Sequence, residues 1–480
     1  MTELYANAKN FYIDGKWVAP STDTVLDVLN PATEEVITQI AMGTKEDADT
    51  AVAAAKAAFP SWSATSREER LSLLEKIVDV YKRRMGDLSA TVTAEMGAPN
   101  ALASKAQVPA GLGHLMTAIE VLKNYEFEQV KGTTVLLREP VGVCAMITPW
   151  NWPLNQIWCK VAPALATGCT MVLKPSEVAP LDAVIVAEIL HEAGVPSGVF
   201  NLVHGDGPSV GSVLSAHPDI DMVSFTGSTR AGILVSKNAA DTVKRVSLEL
   251  GGKSANIVLP DADLEAAAQV AAGACFTNSG QSCNAPTRLL VHEDQHDELV
   301  ELIKGATATY ATGDPQTKGT VLGPLVSKTQ FDRVQALIQA GLDEGAEAAV
   351  GGLGLPEGLD KGYFVRPTVF TGVTPDMRIA QEEIFGPVLS VIKYSSEEEA
   401  IQIANDSEYG LGGAVQSSDP ARAFKVASKI RTGMVGLNGA GLDPTAPFGG
   451  YKKSGNGREW GEFGFDEFTE VKAVMGYQPA

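Results

Sequence analysis

The strongest constraint on this chain is a rhythm that sets in at residue 141. Short apolar runs, Val143–Ile147, Met171–Leu173, Val199–Val203, Met222–Phe225 and Val246–Leu250, alternate with stretches of helical period at about 155–167, 181–193, 208–216 and 229–239. Strands that alternate with crossover helices predict a parallel, doubly wound α/β sheet. A second series follows Gly251-Gly252: a helix at about 262–275, a strand at Arg288–His292, helices at about 296–308 and 328–343, strands near 363–370 and 389–394, and a helix near 396–405. A chain of 480 residues has room for two such units, since ~150 residues per domain is a usable prior.

Upstream, Asp14-Gly15 between short β-type runs in Phe11–Val18 predicts a tight hairpin. Thr44 is placed to cap an Ala-rich helix to Ala58. Ser66-Arg-Glu-Glu69 reads as a capping box ahead of the apolar face Leu71, Leu74, Ile77, Val78 and Tyr81. Two β-rich stretches, Phe127–Arg138 and Phe468–Tyr477, have no helical period and belong to neither series. Such ribbons could pair with each other or with another subunit.

Composition narrows the functional classes. The charge is −20, from 38 Lys+Arg against 58 Asp+Glu, which repels phosphate backbones and anionic lipid. Neither nucleic acid nor a membrane surface is therefore an expected partner. Met1–Asn10 has no apolar segment of the kind a signal peptide needs, and no run reaches the ~18 uninterrupted apolar residues of a membrane helix. Five cysteines, an odd number, fit a reducing compartment, so a cytoplasmic location is expected. The six histidines stand in no metal-ligand spacing, and no metal site is predicted.

Three segments can carry chemistry. Cys144, Cys159, Cys169 and Cys275 have the apolar neighbours of core thiols. Cys283 instead follows the small and polar run Asn278-Ser-Gly-Gln-Ser282. It is either a nucleophile whose base comes from elsewhere or another buried thiol. Glu249 ends a strand in which Val246, Leu248 and Leu250 share one face and Ser247 and Glu249 the other. In open α/β sheets ligands lie outside the carboxyl ends of strands, which suits a general base there. A salt bridge to Lys244 or Lys253 is the alternative. Pro149-Trp-Asn-Trp-Pro153 makes a stiff corner that either aims the Asn151 amide at a developing oxyanion or simply packs.

Cofactor signals are of the same grade. The run His204-Gly-Asp-Gly-Pro-Ser-Val-Gly211 misses the dinucleotide fingerprint by one position, and Phe225-Thr-Gly-Ser-Thr229 opens a helix whose N-terminus suits an anion. Lys174-Pro-Ser-Glu177 adds a cation and a carboxylate at a strand end.

Together these pieces resemble the aldehyde dehydrogenase superfamily over essentially the whole chain. The resemblance is carried by Phe225-Thr-Gly-Ser228, Glu249-Leu-Gly-Gly-Lys253, Gly280-Gln-Ser-Cys283, Pro149-Trp-Asn151, Glu382-Glu-Ile-Phe-Gly-Pro387 and Pro447-Phe-Gly-Gly450, in the order and spacing of the family. It implies a Rossmann-like NAD-binding domain (1–121 and 141–251), a second α/β catalytic domain (252–464) and a small β-ribbon oligomerisation element (122–140 and 465–480), assembled as a homodimer or homotetramer.

The implied roles are Cys283 as nucleophile, Asn151 as oxyanion donor, Glu249 as the base that activates the hydrolytic water, and Lys160 with Glu459 as a supporting proton-relay pair. The implied cofactor contacts are Ile147, Thr148, Pro149, Trp150, Lys174, Ser176, Glu177, Gly207, Gly211, Phe225, Thr226, Gly227, Ser228, Leu250, Glu383 and Phe385. Glu177, facing the adenosine ribose, favours NAD over NADP. Arg230 leaves NADP open, because many relatives carry an acidic residue at its position. Trp152, Gln156, Cys159, Ser282, Asn284, Leu442 and Phe448 are implied to line the substrate tunnel.

With no large aromatic and no arginine in Asn438–Pro447, the expected substrate is a medium-sized uncharged aliphatic or aromatic aldehyde, oxidised to its acid. The competing readings are a CoA-acylating enzyme, a semialdehyde dehydrogenase, a cysteine esterase without nicotinamide, and a non-catalytic protein that keeps the fold.

Overall fold

The computed structural model describes residues 4–478. The first three residues of the Met1–Asn10 segment and the last two of the 465–480 ribbon lie outside the described residues. Among the described residues, no helix is long and apolar enough to cross a membrane.

The first α/β series forms an eight-stranded sheet in the order Gly455–Asn456, Arg245–Glu249, Met222–Thr226, Val143–Ile147, Thr170–Lys174, Phe200–Leu202, Phe11–Ile13, Lys16–Val18. Its five central strands are parallel and its edges antiparallel. Both faces are covered, and the two-residue period of a strand divides one apolar run between two cores. Cys144 and Met146 pack with helices Arg67–Met96, Val108–Asn124, Pro153–Thr167 and Leu181–Ala193. Val143, Ala145 and Ile147 pack with helix Lys45–Ser63 and with Leu214 and Val235 on the opposite side.

Local signals behave as their chemistry requires. Asp14 and Gly15 both hold positive φ, 53° and 74°, in the turn between the first two strands. Ser66 accepts from the Glu69 backbone N–H, and the Glu69 carboxylate accepts from the Ser66 N–H at 2.7 Å, closing the capping box.

The second series forms a seven-stranded sheet in the order Glu347–Val350, Thr368–Val373, Val388–Tyr394, Arg288–His292, Ala255–Val258, Gly412–Gln416, Met434–Leu437. The strand expected near 363–370 begins only at Thr368. Pro367 has no N–H for a ladder, and Tyr363 before it bonds instead to Pro31 and Leu325. The helix expected at 208–216 starts with a π turn, Gly207–Gly211, before α-helix Ser212–Ala216.

The two unassigned ribbons pair with each other. Thr469–Met475 runs antiparallel to Thr134–Pro140, which is also hydrogen-bonded to Glu128–Lys131. Two expected boundaries move. Residues 122–124 still belong to helix Val108–Asn124, and 465–467 belong to helix Gly461–Glu467. Gly455–Asn456, expected within a 252–464 unit, instead adds an antiparallel strand to the first sheet beside Arg245–Glu249. The chain thus crosses back to the first unit before it ends, and this return brings Glu459 into the site.

Candidate active site

In the first sheet the chain winds outward from Val143–Ile147 through Thr170–Lys174 to Phe200–Leu202. It then crosses back to lay Met222–Thr226 and Arg245–Glu249 on the other side. The topological switch therefore lies between Val143–Ile147 and Met222–Thr226, where the connections leave a crevice at the strands' carboxyl ends. A cavity of about 170 Å³ occupies this place, lined by Pro149, Trp150 and Asn151 after one strand, Thr226, Gly227 and Ser228 after the other, and Glu249, Leu250 and Gly251 after the third. Cys283, Gln330, Arg333, Glu383 and Phe385 close it from the second unit.

The Cys283 loop is held by contacts that need its particular residues. Asn278 and Ser279 have φ of 59° and 56°, a conformation that costs energy in non-glycine residues and persists only when the surroundings enforce it. Gln107 donates to the Asn278 side-chain oxygen at 2.9 Å, and the Gln281 side chain bridges the Val326 N–H and the Asn278 carbonyl. At Gly280 a Cβ would stand 2.1 Å from the Gly386 carbonyl oxygen, so only glycine lets this loop meet the 383–387 segment. The Asn151 amide donates to the Gln281 carbonyl at 3.0 Å, and the Asn151 carbonyl accepts from Asn278 Nδ2 at 2.8 Å. The proline-flanked corner and the cysteine loop are thereby locked to each other.

Glu249 is 3 % exposed, and neither carboxylate oxygen has a hydrogen-bond partner. The salt bridge considered from sequence is absent: Lys244 donates to the His217 carbonyl, and the Lys253 ammonium has no partner. Burial pushes the Glu249 carboxyl well above the usual carboxylate range, and the negative charge of Glu459 adds to this while Lys160 and Arg458 oppose it. Lys160 and Glu459 form a buried ion pair behind it, with Lys160 also donating to Ser224 Oγ at 3.0 Å. Burial likewise raises the Cys283 thiol, followed by the charges of Glu383 and Glu249. A thiol, an unpaired carboxyl of raised pKa and a fixed amide around one cavity are the parts of acyl-transfer chemistry.

A second, larger cavity of about 580 Å³ reaches Cys283 from the other side. Its lining includes six of the seven expected tunnel residues: Trp152, Gln156, Ser282, Asn284, Leu442 and Phe448. Cys159 does not line it. That side chain is 2 % exposed behind Phe448 and Trp460, with its Sγ 3.3 Å from a Glu459 oxygen. Among the described residues no Lys, Arg, Asp or Glu lines this cavity. Among the described residues Cys283 is the one that borders both cavities.

The remaining expected cofactor residues fall along the first sheet. Ile147 and Phe225 are buried strand-end residues, and Thr148 donates its N–H to the Lys174 carbonyl at 3.1 Å. Lys174 is 3 % exposed, and its ammonium donates to the Pro175 carbonyl at 2.8 Å and to Glu177 at 3.3 Å. Ser176 is buried beside them, and Gly211 faces the Lys174 stem. A Cβ at Gly207 would meet nothing within 4 Å, and at Gly211 nothing closer than 3.7 Å, so the backbone there is open to approach. Glu383 accepts from the Gly252 N–H at 2.9 Å.

Sequence reasoning missed Gln330 and Arg333, which donate to the carbonyls of Phe385 and Glu383 at 2.8 and 2.7 Å and hold that segment in place. It also missed His114, Asn155, Thr277 and Trp460 on the tunnel wall. None stands in a motif, and only the packing of distant helices brings them there. Among the described residues no cluster of three or more His, Cys, Asp or Glu side chains is arranged to hold a metal.

Comparison with known proteins decides among chemistries that this geometry allows. The profile of the Aldehyde dehydrogenase family matches residues 17–474. The chain belongs to that family. It is 57 % identical over 98 % of its length to a 3-succinoylsemialdehyde-pyridine dehydrogenase of a Pseudomonas species, covering 99 % of that protein. Among solved structures, Aldehyde Dehydrogenase C of Pseudomonas syringae, as a cysteine-to-alanine mutant in complex with NAD+ and octanal, superimposes with a TM-score of 0.98 at 52 % identity, over 99 % of this chain and 98 % of that one. Betaine aldehyde dehydrogenase of Staphylococcus aureus in complex with NAD+ gives 0.95 at 39 % identity, over 100 % and 97 %. The α/β fold with its dinucleotide-binding and catalytic layout is that of these aldehyde dehydrogenases, and the chain is an oxidoreductase of this class.

Proposed function

We propose that this enzyme oxidises a medium-sized, uncharged aldehyde to the carboxylic acid with NAD, through a covalent intermediate on Cys283. The observation that carries the reading is that Cys283 alone borders both cavities, the crevice at the sheet's switch point and the uncharged tunnel. A sulfur so placed can meet an aldehyde carbon arriving from one side while the hydride acceptor occupies the other.

The residues in and beside the crevice, along the carboxyl ends of the first sheet, fit a dinucleotide. Gly207 and Gly211 leave open backbone, Ser228 caps helix Thr229–Ala239, whose N-terminus favours a phosphate, and Lys174 supplies a buried cation. Ile147, Thr148, Pro149, Trp150, Ser176, Phe225, Thr226, Gly227 and Leu250 would frame it, with Glu383 and Phe385 at the nicotinamide end. Glu177, held by Lys174, would meet the adenosine ribose and disfavour a 2′-phosphate. The related structures that hold NAD+ support the same choice. When bound, the cofactor supplies the two-electron acceptor for the aldehyde hydride.

The chain's own residues do the rest. Cys283 loses its proton to Glu249, whose raised pKa and unpaired oxygens suit it to accept one. The thiolate attacks the aldehyde carbon to form a thiohemiacetal, and the Asn151 amide with the Cys283 N–H stabilises its oxyanion. After oxidation the acyl group is a thioester on Cys283. Glu249 first passes the thiol's proton on toward Lys160 and Glu459, which returns it to the anion; it then takes a proton from the water that attacks the thioester, and the Cys283 thiolate leaves as the acid forms. The names of two relatives support a neutral substrate: one complex holds octanal, and the other name denotes a pyridine-bearing semialdehyde. We also propose a homodimer or homotetramer built on the three-stranded ribbon, whose Val130, Val471 and Met475 are exposed, at 78 % for Met475. Light scattering on the purified protein tests that.

The decisive experiment measures kcat/KM for an aldehyde panel with NAD and with NADP, each with and without CoA. Free-acid formation with NAD and no need for CoA is expected. Strict dependence on CoA would establish the acylating reading instead.

A further inference from the structure

We infer that the tunnel contains a hydrogen-bonding station made of the Asn155 and Gln156 side-chain amides, with His114 as its positioning residue. It selects aldehydes that carry an uncharged acceptor, a keto oxygen or a heteroaromatic ring nitrogen, over plain hydrocarbon aldehydes. The inference rests on the aldehyde-oxidising reading above and deepens it.

The polar groups of the tunnel wall divide into those already satisfied and those left open. Trp152 donates its indole N–H to Ser282 Oγ at 2.8 Å, and Thr277 donates to the Gly273 carbonyl at 2.7 Å. Neither has a donor left for a ligand, whereas the Ser282 hydroxyl and the Asn284 amide donate to no atom of the described residues but flank Cys283, at the reacting end of the tunnel. Asn155 and Gln156 stand side by side in the first turn of helix Pro153–Thr167 and both line the cavity. The Asn155 oxygen is engaged by His114 Nε2 at 2.8 Å. The His114 ring, on helix Val108–Asn124, packs 5.2 Å from the Trp460 ring, and burial lowers its basicity, so it sits there neutral. A neutral ring that approaches a carbonyl oxygen must place its single proton on that nitrogen. The Asn155 oxygen is thereby occupied and its NH₂ hydrogens are free, since they donate to no atom of the described residues. Gln156 is 5 % exposed, and its amide likewise has no partner among the described residues, although it lies among apolar walls.

Unpaired amides at the wall of an otherwise apolar tunnel are expensive unless something in the tunnel pairs with them. A hydrocarbon chain leaves them unpaired and strips their water. A keto oxygen or pyridine nitrogen accepts from them. Discrimination of this kind is the strong kind, because the penalty falls on the substrate that lacks the partner. An ionised carboxylate gains less than it loses, since no cation lines the tunnel to replace its hydration.

The test compares matched neutral pairs: octanal with 4-oxooctanal, and 3-phenylpropanal with 3-(pyridin-3-yl)propanal, by NADH formation at saturating NAD. The acceptor-bearing member of each pair should win by about tenfold in kcat/KM, which is the worth of one or two neutral hydrogen bonds. The advantage should reside in KM. In Asn155→Leu, Gln156→Met and the double variant the ratio should fall toward one. His114→Gln, which can still donate to the Asn155 oxygen, should keep more of the preference than His114→Leu. A wild-type ratio within twofold of one overturns the inference without any variant. So does a ratio that survives in the double variant, or a preference for succinic semialdehyde over both neutral classes. If no aldehyde yields NADH the proposed function itself fails. If octanal is oxidised without discrimination, only the station fails.

Discussion

The two cavities that meet at Cys283 are built from opposite materials. The crevice at the switch point is lined by strand ends, glycines and ionisable groups: Glu249, Glu383 and Arg333. The tunnel is lined by helix faces and a loop, with aromatic rings, small residues and amides and no charged side chain. The contrast separates where each kind of energy acts. Charge at low dielectric discriminates between protonation states and between ground and transition states, so it governs turnover. Apolar contact far from the reacting carbon holds substrate and transition state alike, and such uniform binding appears in KM. If this division is right, variants on the crevice side lower kcat and variants on the tunnel side raise KM.

The residue on the boundary should show the largest effect. Cys283→Ala is expected to abolish aldehyde oxidation, by about 10⁶-fold if it behaves as other deleted nucleophiles do. NAD binding, followed by quenching of tryptophan fluorescence, should persist. Normal turnover in this variant would dissolve the comparison altogether. Glu249→Gln comes next, with a loss of about 10²–10⁴ in kcat. The thiol can also lose its proton to bulk water, whereas the hydrolytic water has no other base at hand, so the second step suffers more and the acyl-enzyme should accumulate, visible by intact mass as an added acyl group after one slowed burst of NADH. Asn151→Ala should cost about 10²–10³ in kcat with KM little changed, the size of one lost oxyanion donor.

A smaller effect probes how the crevice tunes its base. Burial and then the Glu459 charge raise the Glu249 pKa, and a base works only when ionised. Deacylation should therefore rise with pH through a limb that lies above the ordinary carboxylate range. In Glu459→Gln the negative neighbour is gone and the Lys160 cation is unopposed, so both changes favour the Glu249 anion and the limb moves to lower pH. Lys160→Met removes the cation and must move it to higher pH. Single-turnover deacylation rates between pH 5 and 9 would report both directions (~1 pH unit is the scale of one such neighbour). A limb that stays in place in both variants would separate Glu249 from this pair.

The same division explains what could be read before folding. Strand runs were legible because each is an uninterrupted apolar block. Glu249 was legible because alternation along Arg245–Glu249 separates its face from that of Leu248 and Leu250. Pro149–Asn151, Thr226–Ser228 and Glu249–Gly251 sit at or just after strand ends, so their place follows from the topology, whereas Gln330 and Arg333 reach the crevice from helix Lys328–Asp343 and carry no such signal. Nor do tunnel residues. His114 and Trp460 belong to segments 346 positions apart that meet only through helix packing, and no local pattern marks either. Cys159 was misplaced for a related reason: its helix lines the tunnel, but helical rotation turns that residue toward Glu459 instead. Glu459 itself depends on the return strand Gly455–Asn456, two residues long and without an apolar run to announce it.

The smallest predicted effect tests the tunnel side by itself. Leu442 lines the tunnel near its solvent end and is 56 % exposed, so an aldehyde's tail can cover only part of its surface. Leu442→Ala removes three carbons from that contact. Covering a whole leucine is worth about 2 kcal/mol, so the half that a ligand buries is worth about 1 kcal/mol or less, a two- to fivefold rise in KM. The rise should be seen with octanal, whose tail reaches the wall, and should vanish with acetaldehyde, which has none. kcat should be unchanged for both, because the contact is as good before the carbon reacts as during the reaction. A fall in kcat instead would mean that the tunnel wall positions the carbonyl at Cys283, and that shape as well as charge contributes to turnover.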